Sequence, residues 1–309
     1  MDRREFLKWS VKAGTAFSLT FALPRSAGRL WAVPIAEYAD IAVVRGDVEK
    51  SVKAAVDLLG GIGRFVRKGQ RVLIKPNMSF PNPPEWGTTT DPFVTAKVAE
   101  LCREAGAGQI LIADNPLRRP DICLKRSGIL DAVQNIPRTY TFAAKDRTLF
   151  EQVEVPGGKV LKAVEVLKEL LKADVLINLP VAKSHNAAGV SLGMKNLMGL
   201  IWDREAFHEK FDLNEGIVDL STLIRPNLII VDATRALITS GPSGPGKVLP
   251  LGTIVAGTDP VAVDSYVVSL AKWYGRSFTG RNVRHLLLAN QQGLGEVDIT
   301  RLNIKEIAV

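Results

Sequence analysis

Six short runs along the chain are almost wholly apolar and rich in Val and Ile: DIAVVRG (40–46), RVLIKPN (71–77), QILIADN (109–115), DVLINLP (174–180), NLIIVDA (227–233) and GTIVAG (252–257). Their hydrophobic positions are continuous rather than alternating, the pattern of parallel strands covered on both faces. Between them lie stretches with helical spacing, such as DPFVTAKVAELCREAGA (91–107) and DPVAVDSYVVSLAKWYG (259–275). Strands alternating with helices predict an α/β fold, a mostly parallel wound sheet flanked by helices. VEVPGGKVL (153–161) reads as a small hairpin inserted between the halves. Thr90-Asp91-Pro92 and Thr258-Asp259-Pro260 each open a helix, with Thr or Asp placed to cap the exposed amides and Pro at the first helical position. The repetition raises the possibility of two related halves within one domain spanning residues 40–309.

Four of these runs end in polar punctuation: Lys75-Pro76-Asn77, Asp114-Asn115-Pro116, Asn178-Leu179-Pro180 leading to Lys183, and Asp232. Ligands bind open parallel sheets at the carboxyl ends of strands, so the pattern predicts one rim that gathers these groups. Each residue alone also suits an ordinary turn. Asp114 and Asp232 are the natural candidates for a divalent cation or a ribose hydroxyl, because carboxylates at strand ends can meet either.

The stretch LPVAKSHNAAGVSLGMKNLMG (179–199) places Lys183, His185, Lys195 and Asn196 among small and apolar residues. An unpaired buried lysine is costly, so such a placement needs a reason. Ala187, Ala188, Gly189, Ser191 and Gly193 leave little side-chain bulk, which predicts a loop whose amides approach an anion closely. Two lysines supply compact positive charge to a phosphate or carboxylate; Lys183 also counts as a catalytic candidate, and a lysine partly desolvated in such a cleft could form a covalent adduct with a carbonyl. MKNLMGLIW then reads as a short helix with its amino end facing that loop. His185 titrates near neutrality and is the candidate acid/base. His208 in WDREAFHEKF is a second catalytic candidate, beside an apolar stripe of Trp202, Phe207 and Phe211 against which it can simply pack. His285 reads as a plain helix residue. Asp259 reads as a cap, while Asp264, five residues on, faces either the rim or solvent.

Charge and composition narrow the class. Hydrophobic residues make up 46% and charged residues 23%, ordinary for a globular chain, and no apolar run after the N-terminus is long enough to span a bilayer. The net charge is +8, of which residues 1–28 hold Arg3, Arg4, Lys8, Lys12 and Arg25 against Asp2 and Glu5. The remaining excess suits small anions and makes no case for nucleic acid. Paired arginines before Phe6, Leu7 and Lys8, then a short apolar stretch, resemble a twin-arginine translocation signal over 1–28. That reading predicts export to the periplasm or the outer face of the cell membrane, with membrane attachment only through an uncleaved signal. The two cysteines, Cys102 and Cys123, read as packed thiols and are too few for an intrinsic iron–sulfur cluster. TSGPSGPGKVLP (239–250) lacks P-loop spacing and reads as a lid or a wide turn, and neither GxGxxG nor GxSxG occurs.

These pieces together resemble the domain-of-unknown-function family 362. The matching segments are VLIKPN (72–77), TTTDP with its helix and LIAD (88–114), LPVAKSHNAAGVSLGMKNLMGL (179–200), Phe207-His208, LIIVDA (228–233), the GPSGPG loop and AGTDPVAVD (256–264). The resemblance implies an α/β fold and strengthens Lys75, Asn77, Lys183, His185, Lys195, Asn196 and His208 as a site. Some relatives add ferredoxin-like cysteine runs, which this sequence lacks, so electron transfer is in doubt here. No reaction, substrate or cofactor follows from it. The expectation is an anion-recognising cleft of an enzyme that uses His185 as acid/base, the alternative being a non-catalytic carrier of a cofactor or metabolite.

Overall fold

The computed structural model describes Tyr38–Val309, which form one compact unit. The twin-arginine segment lies outside the described residues. In chain order the strands are β1 (Ile41–Arg45), β2 (Arg71–Pro76), β3 (Gln109–Asp114), β4 (Thr139–Ala143), β5 (Phe150–Glu154), β6 (Ala163–Leu167), β7 (Val175–Leu179), β8 (Val181–His185), β9 (Gly189–Ser191), β10 (Leu228–Leu237), β11 (Val248–Gly257), β12 (Lys272–Trp273), β13 (Arg276–Ser277) and β14 (Ile304–Ala308). The main sheet runs β14-β1-β11-β10-β7-β2-β3-β4. From β10 to β4 every pairing is parallel, whereas β11 is antiparallel to both β10 and β1.

Both faces of this sheet are buried, which explains the unbroken apolar runs. Ile41, Val43 and Leu73 enter one core; Ala42, Val44, Val72 and Ile74, one residue out of phase, enter the other. Helices Val48–Leu58 and Pro92–Glu104 cover the second face, and helices Leu213–Leu223, Pro260–Ser269 and Arg284–Gln291 cover the first. Asp91 and Asp259 cap their helices as the TDP pattern requires, accepting from Phe93 N and from Val261 N and Ala262 N. Both halves share the one sheet. The hairpin forms from β5 and β6, with Val155–Lys162 as its connection, so its second strand begins later than the sequence predicts. Cys102 and Cys123 are buried free thiols.

One departure shapes the site. Residues 181–191 are not a loop but a short antiparallel hairpin, β8 with β9, and Gly189 takes a positive φ of 79° at its turn. After Pro180 the chain continues along β10, where β7 pairs with Leu228–Ile229 and β8 pairs further on at Asp232 and Leu237. The long β10 and the β8–β9 hairpin therefore overhang the carboxyl edge of the sheet and wall the rim on one side.

Candidate functional site

The rim is a polar lattice closed on itself. Lys75 Nζ at the end of β2 pairs with Asp114 Oδ1 at 2.9 Å, both side chains wholly buried, and donates to Pro76 O and to Asn196 Oδ1. Asp114 Oδ2 accepts from Met78 N at 2.7 Å and from Ser79 Oγ at 3.3 Å. Asn196 is the hub: its Oδ1 also accepts from Asn77 Nδ2, and its Nδ2 donates to Asn178 Oδ1 and Lys75 O. Lys183 Nζ, on β8, donates to Asn77 Oδ1 at 3.0 Å and Thr88 O at 2.7 Å, and lies 5.0 Å from the centre of the Phe80 ring. The predicted residues Lys75, Asn77, Asn178, Lys183 and Asn196 are thus brought together. A buried network of this kind is stable only because nearly every donor has an acceptor.

Beside the lattice opens a cavity of about 190 Å³, lined among others by Lys183, His185, Lys195, Arg204 and His208. Lys195 differs from the other two lysines. It is 6% exposed, and among the described residues its amine has only Met198 Sδ, at 3.5 Å, as a hydrogen-bond partner. Burial, reinforced by the positive charge of Arg204, brings its pKa down to about 7. Burial likewise lowers Lys75 to about 8, against the opposing pull of Asp114, and takes Lys183 well below its ordinary value. Arg204 donates to Ser79 Oγ at 3.1 Å and to Asn115 O, and its buried Nε has no partner. Asp114 is the carboxylate that acts on Lys75, Lys183 and Arg204, while Lys195 is acted on by the positive charge of Arg204. Such an excess of buried positive charge is unfavourable unless an anion or deprotonation relieves it.

His185 is held in one tautomer. Its Nδ1 accepts from Ala187 N at 3.2 Å and Ala188 N at 3.1 Å, which assigns the ring hydrogen to Nε2. Burial, with Lys195 and His208 adding to it, pushes its pKa down to about 2. A proton on Nδ1 would oppose two N–H donors, so His185 is a neutral hydrogen-bond donor and poorly suited to the acid/base role expected from sequence. The ring of His208, on the short helix Ala206–Glu209, stacks on His185 with centroids 5.7 Å apart and planes 15° apart. It is exposed along its outer edge, and partial burial beside Lys195 and Arg204 lowers its pKa to about 4.

The expected amide nest is filled from within. Ala187 N and Ala188 N serve His185, and Gly193 N and Met194 N donate to Asp264 Oδ1 and Oδ2 at 2.8 and 2.9 Å. Asp264, left between rim and solvent by the sequence, is fully buried and caps the helix Gly193–Asn196 that carries Lys195 and Asn196. Burial raises its pKa to about 7. The backbone here positions side chains.

The metal reading of Asp114 and Asp232 finds both carboxylates committed to internal donors. Asp232 Oδ1 accepts from Thr234 N and Oγ1, and Oδ2 accepts from Asp91 N. Among the described residues no group of three or more His, Cys, Asp or Glu side chains converges as a metal site. Sequence reasoning missed Arg204, whose setting in IWDREAF looks like a solvated turn. It also missed Ser79 and Phe80, just past the KPN punctuation, which was the available signal. His285, taken as a plain helix residue, is fully buried with neither ring nitrogen partnered, and burial lowers its pKa to about 3.

The family described as domain of unknown function (DUF362) matches residues 72–269, which include every one of these rim and cavity residues except His285. A thylakoid-associated protein of Synechocystis sp. (strain ATCC 27184 / PCC 6803 / Kazusa) is 31% identical over 239 residues, 73% of this chain and 70% of that protein. Among solved structures, the lactate racemase apoprotein of Thermoanaerobacterium thermosaccharolyticum aligns with a TM-score of 0.49 at 16% identity, over 75% of this chain and 58% of the racemase. A protein of Thermotoga maritima aligns with a TM-score of 0.43 at 13% identity, over 80% of this chain and 60% of its own. The chain spans less than two thirds of the length of either solved structure.

Proposed function

This chain belongs to the DUF362 family, and from the geometry of its rim we propose that it binds a small carboxylate or phosphate in the cavity beside Lys183, Lys195 and Arg204. The observation that carries the reading is the imbalance between three buried lysines with the half-buried Arg204 and the carboxylate of Asp114, which acts on all of them but Lys195. Lys195 and Arg204 have unsatisfied donors and would contact the anion; Lys183, held by Asn77 and Thr88, would contribute mainly its field. The Nε2–H of His185 would donate to the ligand, and His208 would cover it from the exposed side. The cavity volume corresponds to about six waters of bulk liquid, which favours a metabolite of a few carbon atoms over a nucleotide. Asn77 lines the cavity, and Asn196, bonded to both Asn77 and Lys75, holds it from behind.

A thermal-shift screen of phosphate, sulfate and short mono- and dicarboxylates at pH 7 tests the reading. An anion at 100-fold excess over its Kd should add about 2.7 kcal/mol of stability. No stabilisation by any member of the set would sink it. Export through a twin-arginine route to the periplasm or the outer face of the cell membrane is part of the same proposal, and the thylakoid-associated relative is compatible with a location at a membrane. No described helix is long and apolar enough to cross one. Fusing residues 1–28 to a reporter that requires this route for export tests that part, with Arg3→Lys plus Arg4→Lys as the variant expected to lose export.

A further inference from the structure

The three lysines of the rim are not equivalent, and the difference is chemical. Lys75 has a carboxylate and two oxygens about its amine, and Lys183 has an amide oxygen and a carbonyl. Both amines direct their hydrogens into fixed acceptors. Lys195 has a thioether alone. Lys195 lines the cavity together with Arg204, whose partly unpartnered guanidinium is the natural partner of a carboxylate. Resting on the anion-binding reading above, we propose that Lys195 forms an imine with the carbonyl carbon of a short 2-oxo carboxylate whose carboxylate group is held by Arg204.

The chemistry balances without any further reactant. The neutral amine adds to the carbonyl carbon, forming the C–N bond as the C=O π pair moves to oxygen. The resulting hydroxyl departs as water while the C=N bond forms, and the two hydrogens of the amine leave with that water. The step requires an amine that is unprotonated near neutral pH, which buried lysines beside other cations provide. Lys195 meets this condition, since burial and the adjacent Arg204 bring it to about 7. Arg204 is the charged group that acts on its amine, and Lys195 in turn acts on Lys183, His185, His208 and His285; Asp114 acts on Lys183 and Arg204 and, among the described residues, no carboxylate is paired with the Lys195 amine. The Nε2–H of His185 lines the same space and can donate to the carbonyl oxygen as negative charge develops there.

The test is reductive trapping. The full chain is incubated with pyruvate and borohydride at pH 7.5, with acetone as the uncharged counterpart, and adducts are mapped by peptide mass spectrometry. Pyruvate should modify Lys195 ahead of every exposed lysine and at least tenfold more than acetone does. Arg204→Gln should reduce the pyruvate adduct at least tenfold. Lys195→Arg should abolish it while keeping a single cooperative thermal unfolding transition. Modification confined to exposed lysines, or Lys195 labelling equal for pyruvate and acetone, overturns the imine. If pyruvate stabilises the protein but leaves Lys195 unmodified, only the imine falls; if neither pyruvate nor phosphate stabilises it and Lys195 is unmodified, the anion-binding reading falls with it.

Discussion

Lys195 is the residue on which the proposed anion binding and stability pull in opposite directions. A protonated amine buried beside Arg204 destabilises the fold, and its pKa of about 7 stands below the ordinary lysine value. Between pH 7 and about 10.4 the unfolded chain therefore holds a proton that the native chain has released. Stability should rise with pH through this window, by at most about 1.4 kcal/mol per pH unit from this group. Lys195→Met removes the charge and keeps the volume, so it should flatten that slope and raise stability at pH 7 by about 1 kcal/mol or more. Urea titrations of wild type and variant at pH 7 and pH 9 check this; a variant less stable than wild type at pH 7 contradicts it. His185 makes a separate prediction. With Nδ1 bonded to two amides it should stay neutral, with hydrogen on Nε2, down to at least pH 4. Nitrogen chemical shifts of the ring report this directly, and a titration near 6.5 would restore the acid/base role.

At the scale of elements, the site depends on how the helix Gly193–Asn196 is seated. Asp264, from the helix Pro260–Ser269, fixes its amides, and Gly199 lets the chain pass over the Lys75–Asp114 pair. A Cβ at Gly199 would overlap Asp114 Oδ1 and lie 2.5 Å from Lys75 Cε. Gly199→Ala should cost on the order of 3 kcal/mol by forcing the pair apart, and should weaken anion binding although the residue touches no ligand. Equal denaturation midpoints for the variant and wild type would refute this. Much of the frame was legible in the sequence. Polar residues ending Val/Ile runs mark strand termini wherever two-sided burial makes the runs apolar, so Lys75, Asn77 and Asn178 could be placed on a rim. What stayed hidden depends on contacts between distant segments. Small residues at 187–193 look alike whether their amides await a ligand or serve Asp264 and His185. The antiparallel entry of β11 and the closing strand β14 carry no local signal that separates them from parallel strands. Arg204 reads as surface because its burial comes from Ser79 and Asn115 of other loops.

At the scale of the whole molecule, the cationic rim and the buried histidines set how the fold answers pH. His185 and His285 are depressed to about 2 and about 3, chiefly by burial, while the unfolded chain binds their protons near 6.5. The contribution of these two histidines should therefore be full above about pH 6.5 and fall as pH drops below it, by up to about 1.4 kcal/mol per unit for each. His285→Gln should remove close to one proton from that dependence, measured as a shallower fall of the urea midpoint between pH 6.5 and 5. A bound anion acts on the same balance from the other side. It stabilises the charged forms of Lys195 and Arg204 and so links ligand binding to proton uptake at Lys195.

Calorimetric titration of wild type, Lys195→Met and Arg204→Gln with the best-stabilising anion of the screen, in two buffers of different ionisation enthalpy at pH 7.5, addresses the central claim most directly. The predicted result is binding by wild type with net proton uptake, at least tenfold weaker binding by each variant, and loss of the uptake in Lys195→Met. Unchanged affinity in both variants would place the anion elsewhere and contradict the account.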